Sequence, residues 1–332
     1  MNQNPSPRVL IARMRGDGPF RKEVNRTDLE QTAIMRLRTA SQLSLAYYRQ
    51  PLIITTSGGK DSSVCVSLAE RAGIPFEVLH NHTTVDAPET VHFVRSEFRR
   101  LELEGVACTV SYPYYKGRRV SMWSLIPQKL LPPTRLMRYC TSILKERGGA
   151  RRFIAAGVRW EESQNRKSRG IYETVPARAG KKVVLTEDNA DLRRLFPPRS
   201  MKSKRVCNPI IDWTLHDVWD YIESEHIPLN PLYSCGFTRV GCIGCPMAGR
   251  ATRFREFGRY PMYQELYIRA FDRMLEERKR LGKMDGSWRT GTTGRDVFHW
   301  WMEDGVLPGQ IEMDDLLHES NGAMTAFVSR SA

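Results

Sequence analysis

Apolar runs and helical stretches alternate along the first half of the chain. Three runs have the length of buried strands, with helical stretches between them, in the order 51–56, 63–72, 76–80, 89–104 and 106–112. Strands that alternate with helices predict a parallel sheet covered by helices on both faces. Residues 28–48 predict a preceding helix that packs on this sheet. Its apolar face consists of Ile34, Leu37, Leu45 and Tyr48.

The pattern is looser in the middle of the chain and tightens near Trp213. Residues 151–156 indicate a passage from helix to strand, whereas 164–205 are rich in Arg, Lys, Pro and Gly and predict a mobile loop region. Thr214 can cap a helix, because Asp217 lies close to the capping-box position. Residues 260–281 predict a long helix, and a tryptophan-rich piece follows it.

The composition is typical of a globular protein. The chain has 332 residues, of which 41% are hydrophobic, and no stretch is apolar enough to span a bilayer. The N-terminus lacks the apolar core of a signal peptide, so we expect a cytoplasmic protein without membrane contact. Seven cysteines in a reducing compartment indicate metal or redox chemistry rather than disulfides.

The positive charge is concentrated in one part of the chain. The formal net charge is +14, and residues 147–205 hold sixteen Lys and Arg against six Asp and Glu. A surface of this kind favours polyanions, which makes DNA or RNA a candidate partner. The alternative is a solvated face that keeps the protein soluble.

A glycine turn joins the first predicted strand to its helix. Residues 57–63 read Ser-Gly-Gly-Lys-Asp-Ser-Ser. Glycines let the backbone approach a phosphate closely, and the first N–H groups of the helix, its dipole and Lys60 all favour an anion. The GxxxxGK[ST] spacing of the Walker loop is absent. The turn therefore predicts a phosphate cradle of another type.

Four of the cysteines could share one metal centre. Cys242 and Cys245 form a CxxC pair, Cys235 lies a short loop upstream, and Cys140 stands well before them. Four thiolates suit either a structural zinc ion or a 4Fe–4S cluster, and spacing alone does not separate the two. A redox dithiol is a third reading. Cys65 and Cys108 are expected to be packing residues, and Cys207 is either a packing residue as well or a spare thiol near the site.

Several segments follow one another in the order of a known family. They read Asp86-Ala87-Pro88-Glu89-Thr90, Arg138-Tyr139-Cys140 with Lys145, Gly157-Val158-Arg159-Trp160-Glu161-Glu162-Ser163 with Arg166, Asn208-Pro209-Ile210-Ile211-Asp212-Trp213-Thr214, and Ile227-Pro228-Leu229-Asn230-Pro231-Leu232. This series resembles the sulfonucleotide (APS and PAPS) reductases, and residues 57–62 resemble the SGGxDS signature of the PP-loop ATP pyrophosphatases. The resemblance covers residues 50–250. It implies an α/β fold of the Rossmann-like adenine nucleotide alpha-hydrolase (HUP/PP-loop) class, a parallel sheet with helices on both faces, and a helical C-terminal extension.

Two departures from the reductases favour the use of ATP. The reductases carry a nucleophilic cysteine near their C-terminus, whereas this chain has no cysteine after Cys245. Their phosphate loop is degraded, whereas this one is intact. Thr141 also replaces one of the adjacent cysteines of the iron–sulfur reductases. One upstream and three downstream cysteines are similar to the DNA-phosphorothioation ATP pyrophosphatases, and related proteins accompany phage genomes and CRISPR loci.

The resemblance therefore implies an ATP pyrophosphatase that adenylates an acceptor for sulfur transfer. Its cofactors would be ATP with Mg2+ and a 4Fe–4S cluster, with zinc as the alternative. The catalytic residues would be Lys60, Asp61, Arg159 and Arg166. The nucleotide would be bound by Ser57, Gly58, Gly59, Lys60, Asp61, Ser62, Ser63, Asp86 and Gly157. The metal ligands would be Cys140, Cys235, Cys242 and Cys245.

The same comparison predicts the organisation of the chain and two rival functions. We expect a basic N-terminal segment with a helix (1–48), a nucleotide-binding domain with the cysteine cluster (49–250) and a helical, Trp-rich region (251–332). Expected partners are nucleic acid, a sulfur donor or reductant protein, and a second copy of the chain. One rival is a sulfonucleotide reductase that uses Cys207. The other is a nucleic-acid-binding accessory protein with a nucleotide-sensing site.

Overall fold

The chain divides into two compact units. The computed structural model describes residues 26–175, 182–196, 203–284, 288 and 291–303. The first unit comprises residues 1–119 and 141–242, and the second comprises residues 120–140 and 243–332.

A seven-stranded, mostly parallel sheet forms the centre of the first unit. Its strands are β1 (Leu52–Thr56), β2 (Phe76–Asn81), β3 (Ala107–Ser111), β6 (Phe153–Ala155), β7 (Tyr172–Val175), β8 (Val184–Leu185) and β9 (Lys204–Cys207). Their spatial order is β3-β2-β1-β6-β9-β7-β8. The pairs among the first five strands of this order are parallel, and β7 runs antiparallel to both β9 and β8. A separate hairpin joins β4 (Tyr114–Tyr115) to β5 (Arg118–Arg119).

The strand order reverses beside β1, and this reversal positions the candidate site. From β1 the chain proceeds through β2 and β3 on one side and returns to β6 on the other. The loops that leave the carboxyl ends of the neighbouring parallel strands β1 and β6 therefore lie beside each other at this edge of the sheet. Ligands of open α/β sheets bind at such a switch point.

Five helices accompany the sheet in the described part of the first unit. They are α1 (Arg26–Tyr48), α2 (Lys60–Ala72), α3 (Pro88–Leu103), α5 (Gln164–Lys167) and α6 (Leu215–Ser224). A π-helical turn spans Thr141–Lys145, and 3₁₀ turns span Trp160–Glu162 and Leu192–Leu195. The predicted stop of α2 is confirmed, because Gly73 has a φ of 63° and its N–H bonds to the carbonyl of Glu70. The predicted capping box of α6, Thr214 with Asp217, is confirmed too.

The core of the first unit follows the alternation of side chains along the strands. Leu52 and Ile54 join a large cluster that contains apolar side chains of α1, α2, α3 and α6. Ile53 points to the other face, where it forms a smaller cluster with Leu79, Ile154 and Val206. In α1, Ile34 and Leu37 are buried as expected, whereas Leu45 is 42% exposed. Both sheet faces are therefore apolar near β1, which is typical of parallel strands.

The prediction of a mobile loop over 164–205 is wrong for the described part of that range. It contains α5, β7, β8 and the first half of β9. The hydrophobic pattern did not predict these strands, because charged residues interrupt it. Glu173 is fully buried and pairs with Arg169 and Lys182, and the buried Arg205 donates to the carbonyls of Leu195 and Ser203. Residues 176–181 and 197–202 lie outside the described residues.

The second unit is helical, with an aromatic core. It contains α4 (Met122–Lys129), α7 (Arg250–Arg259), α8 (Pro261–Arg280) and α9 (Gly294–Met302). Trp301 packs against Phe257, Tyr267 and Phe271, and its indole N–H donates to the carbonyl of Pro133. The aromatic ring of Trp301 therefore belongs to the core and is closed to stacking on a nucleic-acid base.

Across the described ranges, no helix combines the length and the apolarity that crossing a bilayer requires.

Candidate functional site

The glycine turn after β1 has the backbone geometry of an anion cradle. Gly58 has a φ of 72°, and a Cβ at this position would lie 2.9 Å from Thr90 Cγ2. Both the left-handed conformation and the close packing therefore require glycine. Gly59 is extended and α2 begins directly after it, so the positive end of the helix dipole lies at the turn.

Polar contacts within the turn hold its shape. The Ser62 hydroxyl donates to the carbonyl of Gly59 (2.7 Å) and accepts from the N–H of Ser57 (3.2 Å). The Gly58 N–H donates to Thr56 Oγ1 at 3.2 Å. Ser62, which we predicted as a phosphate donor, thus uses its hydroxyl to brace the loop. Ser57 lies next to it, with 3.5 Å between the two hydroxyl oxygens.

Asp61 lies between two buried cations at the start of α2. Lys60 Nζ is 2.7 Å from Asp61 Oδ2, and Arg159 Nε is 2.6 Å from Asp61 Oδ1. Lys60 is 8% exposed and Arg159 is 3% exposed. Burial by itself would raise the pKa of Asp61, but the charges and hydrogen bonds of Lys60 and Arg159 outweigh burial and hold that pKa below its usual range. The structure therefore brings three predicted catalytic residues into one network.

A second loop, which follows β6, completes this network. A Cβ on Gly157 would lie 2.6 Å from the carbonyl oxygen of Asp61, so the two loops approach as closely as glycine permits. Arg159 also donates to Glu161 at 2.8 Å. Its backbone N–H donates to Glu162, which pairs in turn with Arg166 Nη1 at 2.8 Å.

Arg166 is the fourth predicted catalytic residue and lies at the edge of the site. Burial, together with the neighbouring charges of Arg169 and Arg239, lowers the pKa of Arg166 despite its pair with Glu162. A guanidinium surrounded by other cations gains from the arrival of an anion. Its surroundings therefore suit a phosphate.

Two residues at the turn were missed as site residues in the sequence. The Tyr233 hydroxyl accepts from the N–H of Lys60 at 2.9 Å. Asn230 is 1% exposed, and its side-chain amide donates to the carbonyl of Gly58 (3.2 Å) and to Thr90 Oγ1 (3.0 Å). Asn230 stands in the Ile-Pro-Leu-Asn-Pro-Leu motif, so its motif could have identified it. No pattern in the sequence indicated Tyr233.

Asp86, predicted to contact the nucleotide, is fixed by a local turn. Its carboxylate accepts from the N–H of Thr83 (2.8 Å) and from Thr83 Oγ1 (2.7 Å). Asp86 is 8% exposed and forms a backbone bridge to Cys242. Its oxygens also lie near His82 and His80.

A cavity borders the glycine turn within the first unit. Its volume is about 250 Å³, and Thr56 and Ser63 line it together with Val66, Val94 and Phe98. The mixture of apolar walls and a few polar groups is typical of small-molecule sites.

The four cysteines of the predicted cluster are divided between the two units. Cys235 is exposed and Cys242 is buried in the first unit, whereas Cys140 and Cys245 are partly buried in the second. In the part of the chain that the structure describes, these sulfurs form no group of three or more metal-ligand side chains. Gly244, between the CxxC cysteines, donates its N–H to Glu256 at 2.8 Å rather than to a sulfur. The cluster thus stays a prediction.

Cys207 is unsuited to the nucleophilic role that one rival function requires. It lies in β9 with no exposed surface, and its thiol donates to the carbonyl of Arg36 at 3.8 Å. Burial raises the pKa of the Cys207 thiol, which disfavours the reactive thiolate. Cys65 is buried as expected, whereas Cys108 is partly exposed.

The sheet order and the glycine turn define a nucleotide-binding α/β protein of the Rossmann-like HUP class. The family model "Phosphoadenosine phosphosulfate reductase domain" matches residues 51–248. The chain belongs to this family, which lies within the PP-loop superfamily.

Curated relatives include enzymes of adenylyl transfer. The chain is 28% identical to sulfate adenylyltransferase subunit 2 of Brucella abortus over 265 residues, which cover 70% of this chain and 81% of that protein. It is 29% identical to an uncharacterized protein of Methanocaldococcus jannaschii over 238 residues, which cover 70% of this chain and 50% of that protein. The chain thus spans about half the length of this archaeal relative.

The solved structures that match the chain are remote in sequence, and their TM-scores are low. The phosphoadenylyl-sulfate reductase from Candida auris has 16% identity and a TM-score of 0.39, covering 68% of this chain and 98% of that one. A U34-tRNA thiolase with a [4Fe-4S] cluster, from Methanococcus maripaludis, has 12% identity and a TM-score of 0.33, covering 84% and 90%.

Proposed function

We propose that this protein is an ATP pyrophosphatase that transfers AMP to an acceptor and releases pyrophosphate. The observation that carries the proposal is the network around Asp61. There an intact glycine turn, Lys60 and Arg159 meet within hydrogen-bond distance. An enzyme whose substrate arrives already adenylated has no use for a complete cradle for the outer phosphates of ATP.

In the proposed reaction an acceptor oxygen attacks the α-phosphorus of ATP. The new bond joins the acceptor oxygen to the α-phosphorus, and the bond between this phosphorus and the oxygen bridging to the β-phosphorus breaks. The electron pair leaves with pyrophosphate, so negative charge grows on the leaving group. Catalysis of such a step consists mainly of positioning and charge stabilisation.

The residues of the two loops would divide these tasks. The turn at Gly58 and Gly59, with Lys60, would hold the β- and γ-phosphates. Arg159 and Arg166 would bind oxygens of the leaving group, because a guanidinium can donate two parallel hydrogen bonds. To do so, Lys60 and Arg159 must give up part of their contact with Asp61 and contact the phosphates instead.

Asp61 would then be available to Mg2+. A carboxylate is the ligand type that Mg2+ prefers, together with phosphate oxygens. When bound, Mg2+ would neutralise charge on the β- and γ-phosphates. Asp61 would hold the ion at the start of α2, where its own carboxylate is kept ionised by Lys60 and Arg159.

Relatives support adenylyl transfer and indicate a first acceptor to test. The name of the Brucella abortus relative describes a sulfate adenylyltransferase subunit. Sulfate is therefore the first acceptor for assay, and a second subunit is a candidate partner, as the word subunit in that name implies.

The proposal is tested by following ATP labelled in its α-phosphate, with Mg2+ and sulfate under anaerobic conditions. We expect AMP or an adenylated acceptor together with pyrophosphate. Arg159→Lys keeps the charge but cannot reach both Asp61 and Glu161, so kcat should fall by at least about tenfold, since a single donor to developing charge contributes about 10²–10³. Arg152→Lys is the matched control, because Arg152 pairs with Glu77 on the sheet, outside this network.

Two results would contradict the proposal. One is release of ADP and phosphate in place of AMP and pyrophosphate. The other is the absence of any ATP cleavage with a panel of acceptors, while the protein binds a non-hydrolysable ATP analogue.

Sulfonucleotide reduction has weaker support. The family model bears the name of a reductase domain. However, Cys207, the thiol that this function would use, has no exposed surface. Formation of sulfite from adenylyl-sulfate or phosphoadenylyl-sulfate with thioredoxin would favour this alternative.

We further propose that Cys140, Cys235, Cys242 and Cys245 hold a 4Fe–4S cluster, with zinc as the alternative. A set of four thiolates fits either centre. A cluster would supply sulfur or electrons, or brace the site. Anaerobically purified protein should absorb broadly near roughly 400 nm, as iron–sulfur charge transfer does. A colourless protein with bound zinc would exclude the cluster.

A further inference from the structure

Three side chains at the carboxyl end of β2 form a group that could hold a metal ion. They are His80, His82 and Asp86, and one ligand atom from each lies within 4.8 Å of the other two. Among the described residues, this is the one group of three or more His, Cys, Asp or Glu side chains with such spacing. All three belong to the first unit.

His80 is oriented as a metal ligand would be. It is 4% exposed, and its Nδ1 lies 3.0 Å from the carbonyl oxygen of Thr56, which can only accept. Nδ1 therefore carries the proton, and Nε2 has a free lone pair. Nε2 is buried and has no hydrogen-bond partner. Histidine ligands in proteins almost always donate their second ring N–H to a carbonyl or carboxylate in this way.

A buried acceptor without a partner is rare and calls for an explanation. His80 Nε2 is such an atom, and the other two members of the group stand beside it. A metal ion would accept the lone pair of Nε2, as a hydrogen-bond donor does for other buried acceptors.

Asp86 and His82 already approach the spacing of metal ligands. His82 Nδ1 lies 3.6 Å from Asp86 Oδ2. Two ligands about 2.1 Å from a tetrahedral zinc ion are about 3.4 Å apart. The hydrogen bonds from Thr83 fix the Asp86 carboxylate and still leave it lone pairs. His82 is 26% exposed and gives the ion a route from solvent.

We propose that His80, His82 and Asp86 bind a divalent transition-metal ion of the zinc class. Two imidazoles and one carboxylate suit zinc, cobalt or iron(II), whereas Mg2+ prefers oxygen ligands alone. Three protein ligands leave one coordination position for water or for a substrate oxygen. Thr56, which orients His80, directly precedes the glycine turn, so this metal site borders the phosphate cradle.

The test uses Co2+ with the full-length protein after removal of metals by a chelator. Co2+ bound by nitrogen and oxygen ligands gives visible d–d bands without the intense near-ultraviolet band of thiolate ligation. This spectral difference distinguishes Co2+ bound by His80, His82 and Asp86 from Co2+ bound by cysteines. We expect one such Co2+ per chain, displaced by Zn2+.

Matched variants identify the ligands. His82→Ala removes a partly exposed side chain, and His80→Gln keeps a buried polar group of similar size. Each should weaken Co2+ binding at least about tenfold, since even partners of ligands contribute 10–100-fold. His92→Ala, on the exposed face of α3, should bind Co2+ as the unchanged protein does.

Two outcomes would overturn the assignment. One is a folded wild-type protein whose Co2+ spectrum shows thiolate bands alone or no binding. The other is a folded His82→Ala protein, judged by circular dichroism, that binds Co2+ unchanged. The measurement needs no ATP, so failure of the ATP pyrophosphatase proposal would leave its result intact, and the reverse also holds.

Discussion

Asp61 links two buried cations at the start of α2. Its two carboxylate oxygens each take one partner, Lys60 at 2.7 Å and Arg159 at 2.6 Å. Removing one member of a buried ion pair leaves an uncompensated charge, which is far more costly than losing an exposed pair. This single side chain therefore connects the stability of the first unit to the readiness of its phosphate cradle.

The change Asp61→Asn should lower the free energy of unfolding by about 3 kcal/mol at pH 7. The pKa of Asp61 lies below its unfolded value of about 3.9, so its stabilisation is fully present above that value and is lost as pH falls through the folded pKa. The difference in the free energy of unfolding between the unchanged protein and Asp61→Asn should therefore shrink below about pH 4. Urea denaturation at pH 7, 5 and 3.5 measures it.

A matched control separates this network from loss of charge in general. Asp28→Asn removes an exposed carboxylate in the first turn of α1 and should cost less than about 1 kcal/mol. Equal losses for Asp28→Asn and Asp61→Asn, or a difference that grows as pH falls, would refute the role of Asp61.

At the scale of elements, the site depends on how closely two loops approach. The turn after β1 and the loop after β6 meet where Gly157 contacts the backbone of Asp61. The backbone at a helix N-terminus cannot move aside to relieve a steric overlap, whereas the end of a flexible side chain can. An added methyl group would therefore push the two loops apart.

Gly157→Ala should destabilise the protein by about 1–3 kcal/mol, as overpacking does, and weaken nucleotide binding. Its Cβ would lie 2.6 Å from the carbonyl oxygen of Asp61. Gly258→Ala is the control, because a Cβ there meets nothing within 4 Å inside α7 and should be neutral or stabilising. Thermal unfolding and titration with an ATP analogue report both effects. A Gly157→Ala protein with unchanged melting temperature and affinity would contradict this account.

The sequence predicted those elements whose local signals agree with their packing. The helix that begins after Thr214 has a capping box and a buried apolar side, so cap and periodicity indicated the same element. In β7 and β9 the local signals are misleading, because Glu173 and Arg205 are fully buried. Their partners come from other segments, such as Lys182 and Leu195, and polarity alone could not indicate burial.

Across the whole molecule, the candidate site combines segments that are far apart in the chain. Motif spacing predicted Lys60, Asp61, Arg159 and Arg166, since each lies in a short recognisable segment. It could not predict the contact of Tyr233 with Lys60 or of Thr56 with His80, because these depend on three-dimensional packing. For the same reason the sequence did not predict the proposed metal-binding role of His80.

The net charge of +14 should produce weak, non-specific binding to nucleic acid rather than a specific complex. Several of the arginines in and around residues 147–205 are buried and paired inside the first unit, among them Arg159 and Arg205. Among the described residues of this range, exposed charges such as Arg193 remain for the phosphates of a nucleic acid. We expect a dissociation constant of about 10⁻⁴–10⁻⁶ M for a DNA or RNA oligonucleotide at physiological salt.

Fluorescence anisotropy at several salt concentrations checks this expectation. The logarithm of the affinity should fall linearly with the logarithm of salt, because each neutralised phosphate releases counterions. Replacing both Arg193 and Arg194 by Gln should reduce the slope by no more than about two, one for each phosphate contact. Sub-micromolar binding that persists at high salt, or strong preference for one sequence, would instead indicate a dedicated nucleic-acid surface. The basic region would then bind nucleic acid in addition to contributing charge to the nucleotide site.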